Sequence, residues 1–466
     1  MKIRGDTICA PATPAGGAIA LVRISGPGSF AVCEKIFRPS SGDFSLRKQK
    51  GHSVVYGEIH DNGRTVDDVI LTVYREPHSY TGEDSAEISC HGSSYIIRKI
   101  LELLIRNGAR PARPGEFTMR AFMNGKMDLS QAEAVADLIA SSSESAHRLA
   151  IHQMRGGFSE EIKHLRQELL HFASLIELEL DFGEEDVEFA DRDELLKIVK
   201  HVKSIATELA SSFSLGNAIK NGIPVVITGK PNSGKSTLLN ALLMDERAIV
   251  SEIPGTTRDF IEDTIVIDGI LYRFIDTAGL RDTSDSVEIL GIKKAHEKLR
   301  EAKVVLFVDE AAGSPGEISG RAQRARNLLQ ADAKMIIVLN KTDLCNDDCR
   351  ERFEGRLQLT GDDSMLFISA KEKTGLEKLK EKLGEVADKG RLSSDDVIVT
   401  NARHYEALKN VCESIGRVEE GLLSGLFEDL TAIDIRQAIH YLGEITGEIT
   451  SDEILDNIFK NFCIGK

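Results

Sequence analysis

No stretch of this sequence is apolar for the roughly 18 to 20 residues that a membrane span requires, and no charged-then-apolar leader opens it. A membrane-embedded chain is therefore not expected, and a cytoplasmic location is. Cysteine is scarce: there are seven, an odd number, and they are scattered. That excludes a disulfide framework. Cys345 and Cys349 stand close together, but no second Cys or His pair lies near them at zinc spacing, so both read as reduced thiols. Positive charge is in deficit, with 58 Lys and Arg against 74 Asp and Glu, a net charge of −16, and an acidic cluster from Glu177 to Glu194. Such a chain does not attract a polyanion over its whole surface, so any nucleic acid must meet a local basic patch or a partner protein. Internal repeats and low-complexity tracts are absent too. What is there is ordinary globular material, 41% apolar and 28% charged over 466 residues, enough for about three domains.

The pattern changes along the chain. Residues 1–122 read as an N-terminal α+β domain. A strand over Ala18 to Ile24 stops at Ser25-Gly26-Pro27-Gly28, and Asp61-Asn62-Gly63 between two β-rich runs predicts a hairpin. The Pro-rich Arg110 to Gly115 is expected to break regular structure. From about Leu129 the periodicity is helical, and Ile162, Leu165, Leu169, Phe172 and Ile176 share one helix face. Helical pattern returns after Asn401. There Thr450 with Glu453 predicts a capping box, and Gly465 suits the helix end. Residues 216–384 instead alternate short β-branched strands with amphipathic helices, the mark of a mainly parallel sheet covered on both faces. The expected fold is thus α/β plus α. An α/β domain is inserted into a helical domain made of residues 123–215 and 385–466.

The inserted segment carries the chemistry. Gly229-Lys230-Pro231-Asn232-Ser233-Gly234-Lys235-Ser236 follows a strand over 224–228 and opens a helix from Thr237. Glycines there let backbone N–H groups face phosphates, the helix N-terminus adds partial positive charge, Lys235 reaches the β- and γ-phosphates, and the Ser236 hydroxyl ligates Mg²⁺. Asp276-Thr277-Ala278-Gly279 ends a second strand, with Asp276 placed for the Mg²⁺ water and Gly279 for the γ-phosphate. Asn340-Lys341-Thr342-Asp343 ends a third. The Asp343 carboxylate accepts two hydrogen bonds from the N1–H and 2-amino edge of guanine, which adenine lacks. Ser369-Ala370-Lys371 ends the last strand, its backbone suited to the guanine O6. Four such elements in order at strand ends predict GTP, not ATP.

Between the first two lies Pro254-Gly255-Thr256-Thr257-Arg258-Asp259, where Thr257 is chosen as the switch threonine that completes Mg²⁺ coordination. After the Asp-x-x-Gly element stands Leu280, which can neither donate nor accept a hydrogen bond, so the attacking water needs another partner. Arg258 or Arg281 as an arginine finger, or Glu288 orienting water, are the candidates. Asn232 can hold a monovalent cation beside the phosphates.

These motifs, with Arg23-Ile24-Ser25-Gly26, Tyr80-Thr81-Gly82-Glu83-Asp84, Arg113-Pro114-Gly115-Glu116-Phe117, Asn124-Gly125-Lys126-Met127-Asp128-Leu129 and the terminal Phe462-Cys463-Ile464-Gly465-Lys466, give a sequence that resembles the tRNA modification GTPase MnmE (TrmE) family along its whole length. The phosphate-loop Ser233 is a small-for-small variation on the family pattern. The resemblance implies modification of the tRNA wobble uridine together with the FAD-dependent partner MnmG. It also implies a homodimer formed through the N-terminal domain, and G domains that associate when K⁺ and GTP are bound. It assigns Asn232, Ser251, Ile253 and Thr256 to K⁺, Ser236 and Thr257 to Mg²⁺, and Glu288 to catalysis, which lowers the weight on Arg258. Arg23, Glu83, Lys126 and Lys466 match contacts to a 5-formyltetrahydrofolate-type folate. From the residues alone those four are ordinary surface charges as readily as ligands. Cys463 is a reactive thiol or a packing residue, and His91-Gly92 is a turn rather than a metal site. A ribosome-assembly GTPase would explain the nucleotide motifs but not the N-terminal motifs or the Cys-Ile-Gly-Lys tail. A folate enzyme in which GTP is purely structural is the third reading.

Overall fold

The computed structural model describes residues 5–40, 45–181, 192–245, 262–276, 302–330, 333–345, 349–353, 363–388, 397–424, 429–460 and 462–465. The chain divides into two compact units, one of Met1–Ile139, Ala150–Thr207 and Glu406–Lys466, the other of Ala140–Leu149 and Glu208–Tyr405.

The first unit begins with β1 (Ile8–Pro11), β2 (Ile19–Ser25), α1 (Ser29–Ile36), β3 (Phe37–Pro39), β4 (Ser53–Asp61), β5 (Arg64–Tyr74), β6 (Ser85–His91), α2 (Ser94–Arg106) and β7 (Arg110–Pro111). The strands form one sheet in the order β3-β4-β5-β6-β2-β1-β7. Asn62 and Gly63 close the β4–β5 hairpin with positive φ at both, the geometry whose twist matches that of the flanking strands. Side chains alternate across the strands. Val22, Ile24, Leu71, Val73 and Ile88 are fully buried on one face, against Phe30 and Ile36 of α1 and Ile100 and Leu104 of α2.

Two sequence expectations are corrected here. The Pro-rich stretch does contain a strand, because Ile8 and Cys9 pair in parallel with Arg110 and Pro111, and a proline is tolerated at this sheet edge. The run of helices read from about Leu129 also begins one helix earlier, with α3 (Glu116–Met123), followed by α4 (Leu129–Ala140), α5 (Glu144–Met154), α6 (Gly157–Asp181) and α7 (Arg192–Asn221). The α6 stripe lies as expected, with Ile162, Leu165, Leu169 and Phe172 fully buried and Ile176 nearly so.

The second unit holds β8 (Ile223–Gly229), α8 (Lys235–Asp245), β9 (Glu262–Ile267), β10 (Ile270–Asp276), β11 (Val304–Glu310), α9 (Pro315–Arg326), β12 (Lys334–Asn340), β13 (Ser364–Phe367) and α10 (Leu376–Asp388). Its sheet runs β13-β12-β11-β8-β10-β9, parallel throughout except for the antiparallel β9 at the edge. One face packs Val225, Ile227 and Leu306 against Leu238 and Leu242 of α8 and Leu379 and Leu383 of α10. The other packs Val226, Val305 and Ile337 against Ile318 and Ala322 of α9. Strands buried on both sides explain the near-continuous apolar runs in the sequence.

The chain ends, in the first unit, with α11 (Ala402–Ser424), α12 (Asp429–Thr446) and α13 (Asp452–Lys460). The cap of α13 falls one residue later than expected: the Ile454 amide donates to Ser451 Oγ at 3.3 Å, while Thr450 Oγ1 turns to the Ser451 carbonyl. Nor does Gly465 end that helix. With φ +95° it brings the tail against β1, where an added Cβ would lie 2.1 Å from the Pro11 carbonyl oxygen.

Candidate functional site

In the second unit, the parallel strands β13, β12, β11, β8 and β10 end side by side at the carboxyl edge of the sheet, where open α/β sheets place their ligands. The loop after β8 turns sharply because Gly229 has φ +137° and leaves no room for a side chain; an added Cβ would sit 2.0 Å from the Val308 carbonyl oxygen. Asn232 takes a left-handed conformation, φ 62°, at the exposed apex of the loop. Lys235, the first residue of α8, is buried, and its Nζ donates to the carbonyls of Lys230 at 2.8 Å and Gly229 at 3.3 Å. Ser236 and Thr237 follow in the first helical turn, both exposed. Ser233 is fully buried, and its Oγ has no hydrogen-bond partner among the described residues.

The loops after β12 and β13 are tied to this one by side chains. The Asn340 amide donates to the Ser233 carbonyl at 2.9 Å, and its Oδ1 accepts from the Ala370 amide at 3.0 Å. Ser369 Oγ donates to Asp343 Oδ1 at 2.5 Å and accepts from the Glu372 amide at 3.2 Å. That hydroxyl, with smaller help from Lys371 and Lys341, holds the Asp343 carboxyl below the usual carboxylate range. An ionised, exposed acceptor is therefore set at the rim, as recognition of a guanine N–H edge requires. Lys341 is left-handed as well, φ 64° and ψ 39°, and its ammonium meets Glu310 at 2.5 Å. Lys371 is exposed beside Glu372.

Asn232, Ser233, Gly234, Lys235, Ser236, Thr237, Asn340, Lys341, Asp343, Ser369, Ala370 and Lys371 thus stand at one edge of one sheet, and Asp276 ends β10 at the same edge. Ser251, Ile253, Thr256, Thr257, Arg258, Gly279, Leu280, Arg281, Glu288 and Lys466 lie outside the described residues. Ser236, exposed at the helix start, fits Mg²⁺, which when bound neutralises the charge on the β- and γ-phosphate oxygens.

In the first unit, Arg23 lies on β2 two residues before Ser25, the hydroxyl partner of Glu83. Arg23 makes an ion pair with Glu87 at 2.7 Å, donates to the Gly465 carbonyl at 3.2 Å, and lies over the rings of Tyr80 and Phe117. Glu83 accepts from Ser25 Oγ at 2.9 Å and from Arg120 at 3.1 Å. Lys126 Nζ donates to the Pro77 carbonyl at 2.9 Å. The sequence reading missed Arg120, which is buried and also holds Asp6 and Glu116. Glu116 in turn accepts from Arg110 and from the Arg113 amide. His91 is bound to Asp67 through Nδ1 at 2.7 Å, and Cys463 is exposed, its carbonyl accepting from the Gly115 amide.

A phosphate loop at the end of a parallel strand, and a carboxylate loop and a serine loop locked to it through one asparagine, define a P-loop GTPase. Comparison with known proteins narrows the class. The family description "MnmE helical domain" matches residues 129–463, and "GTP-binding protein TrmE N-terminus" matches residues 7–126. The protein named tRNA modification GTPase MnmE in Bacteroides thetaiotaomicron is 50% identical over 463 residues, 99% of each chain. Its namesake in Christiangramia forsetii is 52% identical over 480 residues, covering 100% of both. The chain belongs to the MnmE (TrmE) family. A GTP-binding protein of Sulfolobus solfataricus solved with GDP is 19% identical, covering 48% of this chain and 67% of its own, with a TM-score of 0.28. At that score it adds nothing to the assignment.

Proposed function

We propose that this chain is a K⁺-dependent GTPase, activated by dimerisation, that acts in the cytoplasm with the FAD-dependent partner MnmG to modify the wobble uridine of tRNA. The observation that carries this reading is the likeness of about half of all residues, over nearly the full length, to proteins named tRNA modification GTPase MnmE. The nucleotide site supports it. Asn232 is exposed at the loop apex; in this reading its side-chain oxygen binds K⁺, with the Ser251 and Ile253 carbonyls and Thr256 as the other ligands. In this reading Ser236 and Thr257 hold Mg²⁺, Gly279 senses the γ-phosphate, and Glu288 orients the attacking water.

The same reading divides the chain into an N-terminal folate-binding and dimerisation domain over 1–122, a helical domain over 123–215 and 385–466, and a G domain over 216–384. Arg23, Glu83, Lys126 and Lys466 contact a 5-formyltetrahydrofolate-type cofactor. Glu83, an acceptor held by Ser25 and Arg120, suits the N–H edge of a pterin. The cation–π contacts place Tyr80 and Phe117 around Arg23.

The test is nucleoside analysis of tRNA from cells that lack the chain. The modified wobble uridine is expected to disappear and to return with the wild-type chain but not with Lys235→Ala. Unchanged nucleosides together with accumulating ribosomal precursor particles would overturn the proposal in favour of a ribosome-assembly switch.

A further inference from the structure

Glu310 belongs to none of the nucleotide motifs, yet it stands among them. It is the last residue of β11 and pairs in register with Asn340, where the guanine loop begins. Two residues before it, Val308 pairs with Gly229, where the phosphate loop begins. A lone carboxylate beside a polyphosphate site is electrostatically unfavourable, so its environment needs an explanation. Each of its oxygens faces a lysine from a different loop. Oε1 lies 2.5 Å from Lys341 Nζ and Oε2 lies 3.8 Å from Lys230 Nζ. Lys341 above all holds the Glu310 carboxyl below the usual range, with Lys230 adding to it.

We propose that Glu310 is a positioning residue for guanine nucleotides, tethering Lys341 of the guanine loop to Lys230 of the phosphate loop so that both close on the ligand together. Asn340 already joins the loops through neutral hydrogen bonds to Ser233 and Ala370. Glu310 adds a charged link that acts on side chains instead. The Lys341 backbone is in the left-handed region, which a non-glycine residue holds only when its surroundings fix it. Its four-carbon stem is free to sample many rotamers unless the ammonium is anchored. Anchored on Glu310, the stem is ordered before nucleotide arrives, and that ordering is not a cost of binding. Two lysines against one carboxylate leave a net positive charge for the phosphates.

The inference rests on the assignment of this site to guanine nucleotides, and the experiment separates the two. Release of methylanthraniloyl-GDP from the full-length chain is followed by stopped flow for wild type, Glu310→Gln, Lys341→Met and the double variant. Glu310→Gln is expected to release GDP about two- to fivefold faster at low salt, the range of partly exposed ion pairs, with the difference shrinking as KCl is raised. In the Lys341→Met background the same substitution is expected to change release little, and melting without nucleotide should fall only slightly, as loss of one partly exposed ion pair implies. If Glu310 only repels phosphate, Glu310→Gln would slow release, and that result, an unchanged rate, or an equal effect in both backgrounds would overturn the tether. Should Glu310→Gln fail to fold, Lys230→Met reads the same tether from the phosphate loop, and a rate equal to wild type would overturn it. A wild-type chain that does not bind the probe would instead overturn the nucleotide assignment itself.

Discussion

Asp343→Asn is expected to weaken GTP binding roughly 10²- to 10⁴-fold and to turn the site toward xanthosine nucleotides. The reason is the number and direction of protons. The wild-type carboxylate is acceptor-only, kept ionised by the Ser369 hydroxyl, and matches the two N–H donors on the guanine edge. An asparagine amide presents one acceptor and one donor, so its NH₂ would face the guanine 2-amino group. Xanthine carries a carbonyl there and accepts that proton. Asparagine is nearly isosteric with aspartate, so Asn340, Ser233 and Ala370 keep their own hydrogen bonds and the loop keeps its shape. Competition of GTP, XTP and ATP against a fluorescent guanine nucleotide reads the effect. Retained selectivity for GTP would remove Asp343 from the guanine contact.

The second large effect lies in the other unit. Arg120 is 3% exposed and bridges three carboxylates, Asp6 at 2.8 Å, Glu83 at 3.1 Å and Glu116 at 3.2 Å. Removing Arg120 takes the guanidinium from the nearly buried Glu83, while Asp6 and Glu116 keep Arg110, and breaking such a buried pair costs about 3–5 kcal/mol. Arg120→Met is therefore expected to destabilise the first unit by about that much, measured by chemical denaturation. Adding Glu83→Gln should restore part of the loss, because one stranded charge is then gone. A loss no larger than that of an exposed arginine would show that the network does not hold this unit together.

The same network sets an acid limit. Burial opposes ionisation of Glu116, but hydrogen bonds from Arg110 and the Arg113 amide, with the charges of Arg110 and Arg120, hold its carboxyl below the usual range; Asp6 is lowered in the same way. A depressed carboxyl contributes stability that is fully present above its unfolded pKa, about 4, and is lost as pH falls through the folded value. Wild type should thus lose stability below about pH 4, and Arg120→Met should show a shallower acid slope.

The nucleotide site was legible because each motif is short, ordered and attached to a strand end. The apolar runs of β8, β11 and β12 located those ends without any knowledge of pairing. The α6 stripe and the Asn62-Gly63 hairpin were legible for the same reason, since a period or a turn is local. Arg120 was not, because its partner Asp6 is 114 residues away and nothing in the residues around Arg120 marks it as buried. Glu310 belongs to no motif in the sequence. Only the pairing of β11 with both β8 and β12 brings it between Lys230 and Lys341. The short β7 was hidden by its proline, and the α13 cap by two adjacent hydroxyl residues, Thr450 and Ser451, of which only one can accept from the helix.

The most direct measurement is steady-state GTP hydrolysis by the purified chain in KCl and in NaCl at matched ionic strength, with oligomeric state followed in parallel. Hydrolysis about a hundredfold faster in K⁺, with association that appears only when GTP and K⁺ are both present, is the expected result. A bound K⁺ would then supply part of the roughly 10³- to 10⁵-fold that an arginine finger supplies elsewhere. Equal rates in the two salts, with no GTP-dependent association, would contradict a cation-dependent, dimerisation-activated GTPase and leave only the nucleotide site standing.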